Sequence, residues 1–324
     1  MANIYVTRKI PNDGLLMIKR KFGKFDINPE NRVLSKNELL KNVRHRDGVL
    51  CLLTDQIDRE IINAMRDSCK IISNYAVGFN NIDVDYASKK KIMVTNTPGV
   101  LTDATSDLAI SLLFSCARRI VESDRFTRDG KYKGWDPNLM LGQEVTGKTL
   151  GIIGAGRIGS VVAEKMAKGF NMNVLYDDPQ DNTYLEKKIK AKRVDLKTLL
   201  KSSDFVSVHI NLTSGNRHLL STNEFKLMKE TAVLINTSRG EVIDEQALVK
   251  ALQEKRIFAV GLDVYENEPK LSPGLSKLNN VVIVPHIGSA TVLARTLMAT
   301  MAAENLINGL SGKMPKYCVN KDAL

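Results

Sequence analysis

A glycine-rich segment in the middle of the chain constrains the fold more than any other feature. The segment Gly154–Gly159, GAGRIG, directly follows the apolar run TLGII and directly precedes the helical pattern SVVAEKMAKGF. Gly154, Gly156 and Gly159 permit a tight turn, close approach of a diphosphate and close helix packing, while the helix N-terminus favours an anion. The segment therefore predicts a dinucleotide site at these three glycines.

An acidic pair indicates which dinucleotide is bound. Asp177 and Asp178 end the next predicted strand, about 20 residues after the glycine segment. A carboxylate at this strand end accepts hydrogen bonds from the adenosine ribose and repels a 2′-phosphate, so NAD(H) is expected in preference to NADP(H). We predict that Asp178 makes this contact and that Asp177 faces solvent.

Alternating strand and helix patterns predict an α/β protein made of two Rossmann-like, doubly wound parallel-sheet domains that flank a cleft. Residues 1–98 together with 290–324 are expected to form a discontinuous substrate-binding (catalytic) domain, since the helical segment 290–310 is too short to be a domain alone. Residues 99–289 are expected to form the NAD-binding domain. A single long helix over 101–125 would link the two.

In the first hundred residues, the segment DREIINAMRDS at 58–68 is one of the predicted helices. In the second domain the predicted strands are TLGIIG, NVLYDD, DFVSVHI, AVLIN, AVGLDV and VVIVP.

Charge, apolar runs and cysteine content argue against several other classes of protein. The 47 basic and 36 acidic residues give a net charge of +11, but the basic residues are scattered, which disfavours a nucleic-acid partner. No apolar run reaches the ~18 to 20 residues of a bilayer span, and no leader precedes the first apolar run, so we expect a cytoplasmic protein without a membrane partner. The four cysteines are widely spaced, so we expect buried thiols rather than disulfides or a metal site.

Three polar residues follow consecutive predicted strands of the second domain: Arg239, Glu268 and His286. Taken singly they fit a surface ion pair, a turn and a core histidine. The carboxyl ends of parallel strands meet at one edge, however, so all three can converge beside a bound cofactor. Arginine binds carboxylates, histidine exchanges protons near neutral pH, and a neighbouring glutamate orients it. The set is suited to the reduction of a 2-oxo acid.

Longer motifs resemble a known family over nearly the whole chain. GAGRIG, NTSRGEVID, GLDVYENEP and PHIGSAT, in this order and spacing, resemble the D-isomer-specific 2-hydroxyacid dehydrogenases. SNYAVGFNNID, NTPGVLTDATSDLA and LGQEVTGKTLGIIGAGRIG are most similar to the glyoxylate and hydroxypyruvate reductase branch.

The resemblance implies a role for each matching residue. Arg239 would bind the carboxylate and carbonyl of the substrate, His286 paired with Glu268 would be the acid/base, and the amides of Val77 and Gly78 would cradle the carboxylate. The further residues implied at the cofactor are Arg157 and Ile158 along the pyrophosphate, Thr237 and Arg239 on the nicotinamide side, Asp263 at the carboxamide, and Thr105 near the nicotinamide.

The resemblance also implies a homodimer. Trp135, in the segment GWDP, occupies the position where reductases of this branch send an aromatic side chain into the neighbouring subunit's active site. A packing role in a dimer arm is the alternative. The chain departs from the family pattern at Asn211, where a proline is usual, and this change affects the turn expected over the adenine.

Together these patterns predict NADH-dependent reduction of glyoxylate or hydroxypyruvate to the D-2-hydroxy acid. D-3-phosphoglycerate and a 2-ketoaldonate remain alternative substrates of the same reaction. A hypothesis of another class is an NAD-sensing interaction protein of the corepressor type, since such proteins resemble this fold and fold does not settle function.

Overall fold

The computed structural model describes residues 2–65 and 68–324. It divides into two compact units, one formed by the chain up to Leu101 together with Ala290–Leu324, and the other by Thr102–Ser289. Arg66 and Asp67, which the predicted helical segment 58–68 includes, lie outside the described residues.

Twelve strands and twelve α-helices are found among the described residues. The strands are β1 (Ile4–Val6), β2 (Asp26–Ile27), β3 (Gly48–Leu52), β4 (Ile71–Tyr75), β5 (Met93–Thr95), β6 (Thr149–Ile153), β7 (Asn173–Asp177), β8 (Lys192–Arg193), β9 (Phe205–Val208), β10 (Val233–Asn236), β11 (Ala259–Leu262) and β12 (Val281–Ile283). The helices are α1 (Asn12–Phe22), α2 (Lys36–Val43), α3 (Arg59–Met65), α4 (Val84–Lys89), α5 (Thr102–Ala117), α6 (Ile120–Arg128), α7 (Arg157–Phe170), α8 (Thr183–Ile189), α9 (Leu196–Ser202), α10 (Thr222–Leu227), α11 (Glu245–Gln253) and α12 (Val292–Leu310).

The first unit is built around a five-stranded parallel sheet with strand order β2-β1-β3-β4-β5. Helix α12, from the far end of the chain, packs against α1 and β4 of this unit. A Cβ atom added to Gly14 in α1 would overlap the main chain of Ala299 in α12. The absence of a side chain at Gly14 therefore allows the two helices to cross closely. Because α12 comes from the far end of the chain, the unit is discontinuous in sequence.

The second unit is built around a seven-stranded parallel sheet with order β12-β11-β10-β9-β6-β7-β8. Alternate residues of its central strands face two different cores: Leu234 packs in one, and Val233 and Ile235 pack in the other. Both faces of the sheet are covered, which explains why its strands are continuous apolar runs. The predicted fold class is confirmed, with two parallel-sheet α/β domains.

The prediction of one long helix over 101–125 is wrong. Helix α5 ends at Ala117 and α6 begins at Ile120, because Arg119 adopts a left-handed conformation with φ 51°. The guanidinium of Arg119 makes two hydrogen bonds of 2.8 Å to the carboxylate of Glu122, which stabilises the break. Helix α5 packs on β10 and β11 and therefore belongs to the second unit.

All four cysteines are buried and none is in a disulfide, as the sequence predicted. Within the described part of the chain, no helix combines the length and apolar character needed to cross a membrane.

Candidate active site

The glycine segment has the local geometry that a dinucleotide requires. Gly154 has φ +92°, a conformation that residues with a side chain rarely adopt, and a Cβ at Gly159 would overlap the carbonyl of Gly154. A Cβ at Gly156 would meet no heavy atom within 4 Å, so the surface beside it is open. Gly156 precedes the first turn of α7 without a side-chain cap, which leaves amide groups for an anion. The segment therefore fits the pyrophosphate of a nicotinamide dinucleotide.

Within this segment, Arg157 is exposed and Ile158 is half-buried, both in the first turn of α7. Asp178 is bonded to the same turn, because its Oδ2 accepts the amide of Ala155 at 2.9 Å and its Oδ1 accepts that of Gln180 at 3.0 Å. Asp177, expected to face solvent, is only partly exposed, and this burial, followed by the charge of Asp178, raises the pKa of its carboxyl. The structure thus joins the acidic strand end to the glycine turn.

Glu268 and His286 form a close pair. Nδ1 of His286 lies 2.9 Å from Oε2 of Glu268, and the other oxygen, Oε1, accepts the amide of Tyr265 at 3.1 Å. Burial alone would raise the pKa of Glu268, but the hydrogen bond and charge of His286 outweigh it and hold this pKa below its usual value. The side chain of His286 is 28% exposed and that of Glu268 is 32% exposed, so a small molecule can reach them.

Arg239 follows β10, and the main chain of the next residue, Gly240, packs against the peptide between Tyr265 and Glu266, close in sequence to Glu268. Burial lowers the pKa of its guanidinium, while the negative charges of Glu241 and Glu268 oppose that shift. Its Nη1 donates to the carbonyl of Ser238 at 2.7 Å, and its own carbonyl accepts Nδ2 of Asn236 at 2.9 Å. The structure therefore brings Arg239, Glu268 and His286 into one electrostatic cluster at the carboxyl ends of β10, β11 and β12.

The turn after His286 is held by a buried carboxylate. Asp263, 1% exposed, accepts the amides of Ile287 at 2.6 Å and Gly288 at 2.8 Å, and Thr105 donates through Oγ1 to the carbonyl of Gly288 at 3.1 Å. His286 itself has φ 53°, a strained conformation that this network maintains. Sequence reasoning missed this role of Asp263, because a carboxylate after a strand does not reveal which amides it will accept.

Thr237 carries an orphaned polar atom. Its Oγ1 is buried, and among the described residues it has no hydrogen-bond partner. A buried hydroxyl without a partner is costly, so the site offers an unused polar group close in sequence to Arg239. This atom is a second feature that fits a bound polar ligand such as a nicotinamide dinucleotide.

In the loop after β4, in the first unit, three successive carbonyls are turned toward hydrogen-bond donors of the same unit. The carbonyls of Ala76, Val77 and Gly78 accept hydrogen bonds from the Thr97 amide at 2.8 Å, Asn96 Nδ2 at 2.8 Å and Asn74 Nδ2 at 2.9 Å. Since N–H and C=O of a peptide point in opposite directions, the amides of Val77 and Gly78 face the other way. No partner for these two amides is found among residues 2–65 and 68–324. Consecutive free amides of this kind form a cradle for an anion.

The loop after β9 is closed by a side chain. Asn216 donates through Nδ2 to the carbonyl of Asn211 at 2.7 Å and accepts the amide of Thr213 at 2.8 Å. This side chain holds the loop at the position where the family pattern has proline.

His209, at the start of the same loop, lies 2.8 Å from the hydroxyl of Ser207 through Nε2, and burial lowers its pKa to about 4. Because the unfolded state binds a proton near pH 6.5 and the folded state does not, stability should fall as pH falls from about 6.5 to 4. His209 keeps some solvent contact. We therefore expect the free energy of unfolding to fall by about 2 kcal/mol over this pH range, which is less than the full pKa difference would give. Urea unfolding across this range should be less pH-dependent in His209→Gln, and His45→Gln, at an exposed site, should retain the wild-type slope.

Trp135 lies between α6 and β6 in a segment without helix or strand, and 84% of it is exposed. Leu141 and Tyr132 in the same segment are 60% and 52% exposed.

Comparison with known proteins gives consistent results. Residues 110–288 match the family model described as "D-isomer specific 2-hydroxyacid dehydrogenase, NAD binding domain". A glyoxylate reductase from Thermococcus litoralis is 49% identical over 326 residues, which cover 99% of this chain and 97% of the relative. A solved structure from Thermus thermophilus superimposes with a TM-score of 0.90 at 39% identity, covering 98% of this chain and 99% of the other. A glyoxylate reductase from Paecilomyes thermophila superimposes with a TM-score of 0.89 at 30% identity and 99% coverage of both chains.

Proposed function

This chain belongs to the D-isomer specific 2-hydroxyacid dehydrogenase family, and from this premise we propose that it reduces glyoxylate or hydroxypyruvate to the D-2-hydroxy acid with NADH. The observation that carries the reaction type is the 2.9 Å contact between His286 and Glu268 beside Arg239. The similarity to relatives named glyoxylate reductase supports the choice of substrate. A nicotinamide cofactor follows from the family.

The His286–Glu268 pair serves as the acid and its orienting partner. Because Nδ1 of His286 is bonded to Glu268, Nε2 remains to donate a proton to the substrate carbonyl oxygen. The Glu268 carboxylate orients the imidazole for that transfer. When bound, NADH would supply a hydride to C2 of the acid, and His286 would supply the proton to the carbonyl oxygen.

Arg239 and the cradle after β4 bind the substrate. The guanidinium would bind both the carboxylate and the carbonyl oxygen of the substrate, and would stabilise the negative charge that develops on that oxygen. We assign the substrate carboxylate to the amides of Val77 and Gly78, which have no partners among the described residues. A fixed array of donors costs little reorganisation during the reaction.

The cofactor would be held by the glycine turn and by the polar groups around it. We assign the pyrophosphate to the N-terminus of α7 with Arg157 and Ile158, and the nicotinamide to the surroundings of Thr105, Thr237 and Asp263. The open surface at Gly156 and the orphaned hydroxyl of Thr237 support this assignment. Since both oxygens of Asp263 already accept main-chain amides, its contact with the carboxamide would use their remaining lone pairs.

Asp178 is expected to set the preference for NADH. Asp178→Asn keeps one acceptor, for the Ala155 amide, gives up the acceptor of the Gln180 amide at an exposed position, and removes the charge that repels a 2′-phosphate. The ratio of kcat/KM for NADPH to that for NADH should rise about tenfold, since two charges ~4 Å apart interact by about 1 to 4 kcal/mol. Kinetics with both cofactors check this, with Asp181→Asn as the control. An equal loss for both cofactors would mean that Asp178 only supports the glycine turn.

A homodimer is part of the proposal. The exposed apolar side chains of Trp135, Leu141 and Tyr132 form a surface that a second copy of the chain would cover. Light scattering of the wild type beside Trp135→Ala would determine whether two copies associate through it.

The function is tested by following NADH and NADPH absorbance at 340 nm with four acids: glyoxylate, hydroxypyruvate, 3-phosphohydroxypyruvate and 2-ketogluconate. The highest kcat/KM should be obtained with glyoxylate or hydroxypyruvate and NADH. Faster turnover of either longer acid would replace the substrate assignment. Tight NADH binding without turnover of any of the four would contradict the proposed reductase and favour an NAD-sensing role.

A further inference from the structure

We propose that Glu245, which lies outside the proposed catalytic set, is a positioning residue that holds the turn carrying Glu268 against the turn carrying Arg239. This inference rests on the proposed function, because it assigns to Glu245 the alignment of the proposed acid pair and its arginine. Glu245 begins α11, the helix that follows the Arg239 turn, and its proposed role requires no contact with the substrate.

The burial and bonding of Glu245 point to this role. Glu245 is the first residue of α11 and is 1% exposed. Its Oε1 accepts the amide of Glu266 at 2.7 Å, and its Oε2 accepts the amide of Ser272 at 3.3 Å. No ion pair of Glu245 is found among the described residues, so main-chain donors take the place of a cation. One carboxylate thus bonds the turn on both sides of Glu268.

The residue after Arg239, Gly240, packs closely against the same turn. A Cβ at Gly240 would overlap the carbonyl of Tyr265 and the amide of Glu266. The peptide between Tyr265 and Glu266 is therefore enclosed between the Gly240 main chain and the Glu245 carboxylate. We infer that these contacts fix the turn that carries Glu268 relative to the turn that carries Arg239.

Further bonds of this turn connect it to the strand that leads to His286. The hydroxyl of Tyr265 donates to the carbonyl of Val284 at 2.7 Å, and the amide of His286 donates to the same carbonyl at 3.0 Å. The amide of Tyr265 donates to Glu268 Oε1. If the turn shifts when the bonds of Glu245 are lost, both Glu268 and His286 should therefore move.

The two hydrogen bonds that Glu245 accepts, from the amides of Glu266 and Ser272, are called the clamp. This clamp requires a carboxylate. Glu245 accepts two main-chain N–H groups through two separate oxygens, whereas a glutamine offers one oxygen and one NH₂ group, which is a donor. In Glu245→Gln, one of the two amides would face another donor in a buried position and lose its partner. Glu245→Asp keeps both acceptors but shortens the side chain by one methylene, so it should give a smaller effect in the same direction.

The experiment compares Glu245→Gln and Glu245→Asp with Glu254→Gln. Glu254 is an exposed glutamate directly after the same helix, and among the described residues its ion pair is with Lys250. We expect Glu245→Gln to lower kcat for reduction by about 10- to 100-fold, since a misplacement of ~1 Å costs up to about 10²-fold. The dissociation constant for NADH should change by less than about twofold, because the glycine turn is untouched. Glu254→Gln should behave as wild type.

The pH profile separates positioning from a purely structural role. The bond and charge of His286 hold the pKa of Glu268 low, against burial, which raises it. If Glu268 moves away from His286, this pKa should rise, and the acidic limb of the reduction rate should move to higher pH in Glu245→Gln. Glu245→Asp should lie between this variant and the wild type. A variant that only melts at lower temperature, with unchanged kcat and unchanged pH profile, would overturn the proposal.

A crystal structure of Glu245→Gln tests the clamp without activity. We expect the contact between His286 Nδ1 and Glu268 Oε2 to open from 2.9 Å to beyond hydrogen-bond range. If Glu245→Gln does not fold, Glu245→Asp replaces it in both measurements. An intact pair in a variant with an altered side chain at residue 245 would refute the clamp. If the wild type reduces none of the four acids, the proposed function fails instead, while the crystal structure still decides the geometry.

Discussion

Replacing His286 by asparagine is expected to lower kcat for glyoxylate reduction by about 10²- to 10⁴-fold, the range that a positioned general acid contributes. Asparagine tolerates the left-handed backbone that His286 adopts at φ 53°, so the turn should persist. Asparagine has no group that exchanges a proton near neutral pH. Steady-state kinetics at 340 nm measure the loss.

NADH binding separates this effect from damage to the cofactor site. Calorimetric titration of His286→Asn with NADH should give a dissociation constant within a few-fold of wild type, because the proposed pyrophosphate contacts are made by the turn 154–159, which the substitution leaves unchanged. Glu268→Gln should give a smaller loss than His286→Asn, since it removes the orienting charge but keeps the imidazole. A kcat of His286→Asn within tenfold of wild type would exclude His286 as the acid.

Replacing Arg239 by glutamine is expected to lower kcat/KM by at least about 10²- to 10³-fold, the cost of losing one donor to a developing oxyanion. The loss should appear in both kcat and KM, since the same guanidinium is assigned to the carboxylate and to the carbonyl oxygen. Arg239→Lys should not restore activity, because a lysine cannot reproduce the planar fork.

The control for Arg239 is Arg128→Gln on α6, where the side chain is 77% exposed and pairs with Asp124. This variant should retain wild-type kinetics. Kinetics of the three variants with glyoxylate and NADH check the prediction. Full activity of Arg239→Lys would indicate that only the positive charge matters, and full activity of Arg239→Gln would remove Arg239 from the site.

Much of the fold could be predicted from local patterns. The turn at Gly154 and the tight packing at Gly159 require glycine whatever surrounds them, so the motif alone locates a strand-to-helix turn. The apolar runs of β9 to β11 indicate strands buried on both faces, and the structure confirms this arrangement. The very short edge strands β2 and β8 carry no such run and were not predicted.

The candidate site was only partly accessible to the same reasoning. That Arg239, Glu268 and His286 follow consecutive parallel strands suggested that they converge, and the structure brings Glu268 and His286 into contact. The break at Arg119 was not visible, because it depends on a side-chain pair with Glu122 and on packing over the sheet rather than on helix propensity.

The sequence by itself determined the order of the elements, the glycine turn and the residue types of the candidate site, because these depend on neighbours within a few positions. Only the tertiary structure decided which amides Asp263 and Glu245 accept, since those partners lie 21 to 27 residues away along the chain. It likewise decided that the carbonyls of Val77 and Gly78 turn inward. Hydrogen bonds between distant segments have no local pattern, because any buried acceptor can be matched by any donor that the fold brings near it.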